Sequence, residues 1–68
     1  METGFGKRLK ELREEKGISQ PALAAALDVS KAIVSFWENG RREPTLSNLI
    51  AIADYFGESL DYLAGRKE

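Results

Sequence analysis

The sequence predicts an all-α fold, a compact set of five short helices, from three observations. Apolar residues recur at three- and four-residue spacing through most of the 68 residues, and Ser, Thr and Gly interrupt those stripes where helix caps belong. No stretch alternates apolar and polar residues as a half-buried strand would.

The first helix is read from Phe5, Leu9 and Leu12, which share one helical face. Thr3 is placed to cap its start and Gly17 to end it in a left-handed conformation, after which Ile18 turns the chain inward. Gly4-Phe5-Gly6 has no preceding strand and no wider Gly-rich fingerprint, so it reads as chance or a flexible start rather than a phosphate loop. The charged run from Lys7 to Lys16 reads as a solvated helix face.

Ser19 is a good cap for a second helix, and Pro21 falls in its first turn, where the missing N–H costs little. From Gln20 to Gly40 the apolar pattern changes phase once, at Leu27-Asp28-Val29-Ser30. Before the break Leu23, Ala24 and Leu27 share a face; after it Val34 and Trp37 share another. Neither stripe can be buried by its own helix, so the segment is a helix pair closing on a neighbour across a tight turn. Ser30 caps the third helix and Gly40 ends it.

Arg41-Arg42-Glu43-Pro44 is a polar connector, because Pro44 disfavours helix at the residue before it. Thr45 caps a fourth helix over residues 46–56, whose inward stripe is read as Leu46, Leu49, Ile50, Ala53 and Phe56, with Gly57 as its stop. Ser59 caps a last short helix with Leu60 and Leu63 inward, finishing at Gly65.

Composition limits what this framework can do. The expectation is one domain over residues 1–68, with a core of about 5–65, burying only about 60% of its unfolded surface and therefore needing every large apolar side chain. With 43% hydrophobic and 31% charged residues the chain reads as a soluble globular domain. No apolar run approaches the roughly 20 residues needed to span a bilayer and no signal-peptide pattern opens the chain, so a cytoplasmic location is expected. The absence of Cys and His removes disulfides, the usual zinc sites, thiol nucleophiles and imidazole bases; no metal, cofactor or catalytic residue is expected. The net charge is −1, but residues 1–42 hold eight Lys/Arg against six Asp/Glu and residues 43–68 hold two against five. A local positive face survives a neutral total.

The segment from Gln20 to Gly40 resembles the helix-turn-helix of the phage repressor and Cro-like family, also called the xenobiotic-response-element family. The resemblance rests on Gln20 opening the second helix, Ala24 at the close helix contact, Val29 and Ser30 after the turn, inward Val34, and Trp37-Glu38-Asn39-Gly40. Ser59-Leu60-Asp61-Tyr62-Leu63 is similar to the family's final helix, and the likeness runs from about Phe5 to Gly65. It implies a λ-repressor-like DNA-binding domain. Asp28 departs from the pattern, since Gly usually makes that turn; Asp is among the few other residues that tolerate φ > 0.

With Val34 and Trp37 inward, a 100° step sends Ala32, Ser35, Phe36 and Asn39 to the opposite side, with Lys31 on its flank. The resemblance implies that this side enters the DNA major groove, with Lys31, Ala32, Ser35 and Phe36 at base edges. Lys31 suits a guanine edge or a phosphate, and Ala32 and Phe36 suit a thymine methyl. Family members more often carry a long polar side chain where Phe36 stands. The resemblance also implies phosphate contacts from Gln20, Ser30, Ile33, Asn39, Arg41 and Arg42, although Ser30 also reads as a cap, Ile33 as packing and Arg41-Arg42 as a solubilising loop. Arg13 and Glu38 match the family's interhelical salt bridge, and Trp37 reads as core.

The implied function is a sequence-specific DNA-binding transcriptional regulator, a repressor, acting as a homodimer on double-stranded DNA, with Leu60 and Tyr62 as candidate dimer surface. No small-molecule ligand and no membrane partner are expected. The alternative is an antitoxin-like protein-interaction module that binds DNA weakly. An enzyme is disfavoured, because the serines have no imidazole partner and no carboxylate pair is tied to a pocket.

Overall fold

A computed structural model describes residues 4–66. Five helices follow in order: α1 Phe5–Lys16, α2 Gln20–Leu27, α3 Lys31–Glu38, α4 Leu46–Phe56 and α5 Leu60–Leu63, with no strand among the described residues. The expected cap at Thr3 lies outside the described residues; Gly4, in the left-handed region at φ 81°, precedes α1 without a side-chain cap. The other four helices start as their sequences require. Ser19, Ser30, Thr45 and Ser59 each accept a hydrogen bond from the backbone N–H three residues on, at 3.0–3.2 Å.

The core takes Phe5, Leu9 and Leu12 from α1, Leu23 and Ala24 from α2, Val34 and Trp37 from α3, Ile52 and Ala53 from α4, and Leu63 from α5. Trp37 is 1% exposed and meets Phe5 edge to face, ring centroids 6.5 Å apart. Cations close the rim: the Arg8 guanidinium sits 4.6 Å from the centre of the Tyr62 ring, and the Lys16 ammonium 5.0 Å from that of Tyr55.

Three expectations need correction. The inward stripe of α4 is Leu49, Ile52, Ala53 and Phe56; Leu46 is 68% exposed and Ile50 44%. Eight of the eleven α4 residues are apolar, so two stripes differing by a rotation share Leu49, Ala53 and Phe56, and periodicity cannot choose between them. Leu60 is also turned outward, leaving Leu63 as the buried residue of α5; a helix of four residues has too little length to show a phase. Gly4-Phe5-Gly6 is no loose start, since Phe5 and Gly6 begin α1. A Cβ at Gly6 would lie only 2.7 Å from the Glu38 carbonyl oxygen and would also run into that of Trp37. Gly6 lets the main chains of α1 and α3 touch, a constraint that its neighbours in sequence cannot reveal.

Candidate nucleic-acid interface

The turn between α2 and α3 sets the geometry of the exposed surface. Asp28 adopts φ 59°, and among the described residues it alone has a positive φ without being Gly. Its left-handed conformation ends α2 with two bonds, Asp28 N–H to the Ala25 carbonyl and Val29 N–H to the Ala24 carbonyl. The chain leaves in an extended conformation at Ser30, whose hydroxyl then accepts from Ile33 N–H and starts α3. Ala24, 3% exposed, lies in the core where α2 meets α3.

With Val34 and Trp37 buried, α3 turns Lys31 and Ala32 fully outward and leaves Ile33, Ser35 and Phe36 half-buried. Asn39, Arg41 and Arg42 are exposed just beyond its end, where the amide of Asn39 reaches the Ser35 hydroxyl at 3.4 Å. Gly40, at φ 75°, folds the chain back so that Arg41 N–H and Arg42 N–H both donate to the Phe36 carbonyl, at 2.9 and 3.4 Å. That return lays the Arg42 guanidinium over the Phe36 ring, 5.8 Å from its centre. The candidate base-facing residues Lys31, Ala32, Ser35 and Phe36 thus share one side of α3, and Arg41 and Arg42 border it. Ser30 and Ile33 stand together at the first turn through the cap bond, with Ile33 also packed against the core.

The only acid on α3 faces the other way. Glu38, its side chain 2% exposed, receives Arg13 Nε at 2.7 Å and a second Arg13 nitrogen at 3.1 Å, while the Gln20 amide donates to it at 3.0 Å. Arg13 also donates to the Ile18 carbonyl at 2.9 Å. The Glu38 hydrogen bonds and charge raise the pKa of Arg13 above its ordinary value, against the lowering effect of burial. Stability from a raised pKa is present below the unfolded-state value and is lost only as pH rises through the folded one; here both lie well above neutral pH. One carboxylate therefore joins α1, α2 and α3, and the outward side of α3 carries no negative charge. The expected Arg13–Glu38 pair is present. Gln20, expected at a phosphate, also gives one of its two side-chain N–H donors to Glu38.

Residues 9–63 match the helix-turn-helix family. The chain is a member of that family. Control protein C.MunI of Mycoplasma sp is 42% identical over 60 residues, covering 87% of this chain and 81% of the relative. The HTH-type transcriptional activator BcrR of Enterococcus faecalis is 34% identical over 64 residues, covering 94% of this chain and 31% of the relative. Among solved structures, the P22 c2 repressor in complex with a synthetic operator superposes with a TM-score of 0.87 at 33% identity, covering 93% of this chain and 96% of that one. The chain spans 13–50% of the length of BcrR and of two other curated regulators that it matches. These relatives carry names of regulators and control proteins, not of enzymes. No helix among the described residues is long and apolar enough to cross a membrane.

Proposed function

We propose that this helix-turn-helix protein is a sequence-specific DNA-binding transcriptional regulator, a repressor, that inserts α3 into the major groove of an operator in the cytoplasm. The observation that carries this reading is the outward side of α3: Lys31, Ala32, Ser35 and Phe36 lie together, bordered by Arg41 and Arg42, while Glu38 is buried and neutralised. The likeness to a repressor bound to an operator supports it.

In this reading Lys31, Ala32, Ser35 and Phe36 meet base edges, and Ser30, Ile33, Asn39, Arg41 and Arg42 lie along the phosphates. Gln20 contributes through its backbone N–H at the positive end of α2, with one side-chain N–H held by Glu38. Two copies act together. The longest extent of the molecule is 27 Å, whereas successive major-groove faces lie about 34 Å apart, so one copy reads one half-site. Leu46, Ile50 and Leu60 are the exposed large apolar residues among those described; all belong to α4 and α5 and supply the pairing surface. Tyr62, the other candidate on α5, has one ring face already covered by Arg8.

Titration of the intact chain with duplex DNA at several salt concentrations tests the proposal. Neutralising one phosphate gives a log-log salt slope of about −0.9, so two copies using two or three cations each should give roughly −4 to −5. Preference for one recovered sequence over random duplex is expected. Undetectable or salt-insensitive binding would favour the protein-interaction module, for which the net charge of −1 and the apolar Phe36 speak.

A further inference from the structure

We infer that Phe36 and Arg42 form one reading unit, selective for a 5-methylpyrimidine next to a guanine, as in a TG step or a methylated CG step. The inference rests on the DNA-binding reading above and changes the part played by Arg42, which sequence alone places on a phosphate.

Three observations meet here. Phe36 stands on the outward side of α3, half-buried, where its ring can offer only apolar contact. The Arg42 guanidinium lies over that ring at 5.8 Å, within the range of cation–π attraction. The backbone enforces the pairing, because the Phe36 carbonyl accepts from both Arg41 N–H and Arg42 N–H after the left-handed Gly40. Arg42 is therefore led back toward the groove side of α3, and Arg41 remains as the outer cation.

Chemistry then fixes the target. A guanidinium held over a ring by cation–π attraction keeps N–H donors available, and a forked pair of them matches the O6 and N7 acceptors of guanine. Cytosine without a methyl group offers Phe36 only an amino group to desolvate, whereas the 5-methyl of thymine or 5-methylcytosine removes apolar surface from water against the ring. Two groups in contact on the protein read two adjacent bases. Arg42→Lys would keep the charge but lose the fork.

The test selects duplexes with the intact chain from a random library and then compares single-atom variants of the recovered site. The expected site contains a TG step. Replacing its thymine by uracil should weaken binding roughly three- to five-fold, the worth of one buried methyl. Replacing its guanine by 7-deazaguanine should weaken binding about tenfold. CG in place of TG should bind like the uracil duplex, and methylated CG should restore the affinity; whichever of the two methyl sources binds more tightly is the preferred one. Phe36→Ala should abolish the uracil effect, and Arg42→Lys should remove the 7-deazaguanine effect. Equal affinity for thymine and uracil at every position would overturn the inference and leave operator binding intact. So would an Arg42→Ala protein that keeps every base preference and loses about two units of salt slope, one for each of the two copies, since that marks a phosphate contact. Failure to enrich any sequence would overturn the DNA reading itself.

Discussion

Gly6 of α1 rests directly on the main chain of α3 at Trp37, with no side chain between them. Alanine inside a helix is ordinarily better than glycine by roughly 0.5–1 kcal/mol. Here an added methyl collides with two backbone carbonyl oxygens, which cannot rotate away as a side chain would. Gly6→Ala should therefore destabilise the fold by about 1–3 kcal/mol, the range of overpacked cores, read as a lower urea midpoint. A midpoint equal to or above that of the parent would show that α1 and α3 do not approach so closely.

Adjacent aromatic residues on α3 should behave oppositely. Trp37→Ala empties the centre of the core and should cost roughly 3–5 kcal/mol. Phe36→Ala removes a half-buried ring and should leave the thermal midpoint nearly unchanged while altering DNA preference. Equal destabilisation by both would mean that the helix phase is wrong.

The ion pair should be asymmetric. Removing Arg13 strands the Glu38 carboxylate, whose side chain is 2% exposed, and should cost about 3–5 kcal/mol. Replacing Glu38 with Gln leaves Arg13 12% exposed and still bonded to the Ile18 carbonyl, so its cost should be smaller. Chemical denaturation of the two single variants and the double variant checks this; the two losses should be far from additive.

Asp28 holds a conformation that glycine adopts without strain. Asp28→Gly should be neutral or should stabilise by up to about 1 kcal/mol, whereas Asp28→Val should destabilise by at least about 1 kcal/mol because a β-branched residue fits the left-handed region poorly. Calorimetric midpoints of the two variants, ranked in the reverse order, would contradict the turn geometry.

Ser30 carries two readings that one substitution separates. Its hydroxyl caps α3, and Asp caps as well as Ser, so Ser30→Asp should keep the melting temperature. A carboxylate beside a phosphate should nevertheless lower DNA affinity at least tenfold, with the loss shrinking as salt rises. Unchanged affinity would leave Ser30 as a cap alone.

Most of the fold could be read from local signals. The caps at Ser19, Ser30, Thr45 and Ser59 declared four helix starts, and the phase break at Leu27 to Ser30 gave the α2–α3 pair, whereas a positive φ at Asp28 was suggested only by the family resemblance. Signals failed where the decisive partner is distant or the pattern is degenerate. Apolar residues surround α4, so Ile50 could not be told from Ile52. Gly6 matters because of carbonyls more than thirty residues away. The side chains of the candidate interface could be placed on a face, but the bond from Gln20 to Glu38 and the placement of the Arg42 guanidinium over Phe36 depend on how three helices and a loop converge.

The anchoring of α3 is lopsided. Trp37 and Glu38, at its C-terminal end, are held by Phe5, Gly6, Arg13 and Gln20; toward the other end Val34 is buried and Ile33 packs on the core, but Lys31 and Ala32 are exposed. An eight-residue helix is about 12 Å long and acts as a lever pivoting on its gripped end. A tilt of a few degrees at the pivot moves the first turn by about half an ångström or more. In the proposed DNA-bound state, loosening that joint should blur recognition at Lys31 and Ala32 before it unfolds the protein.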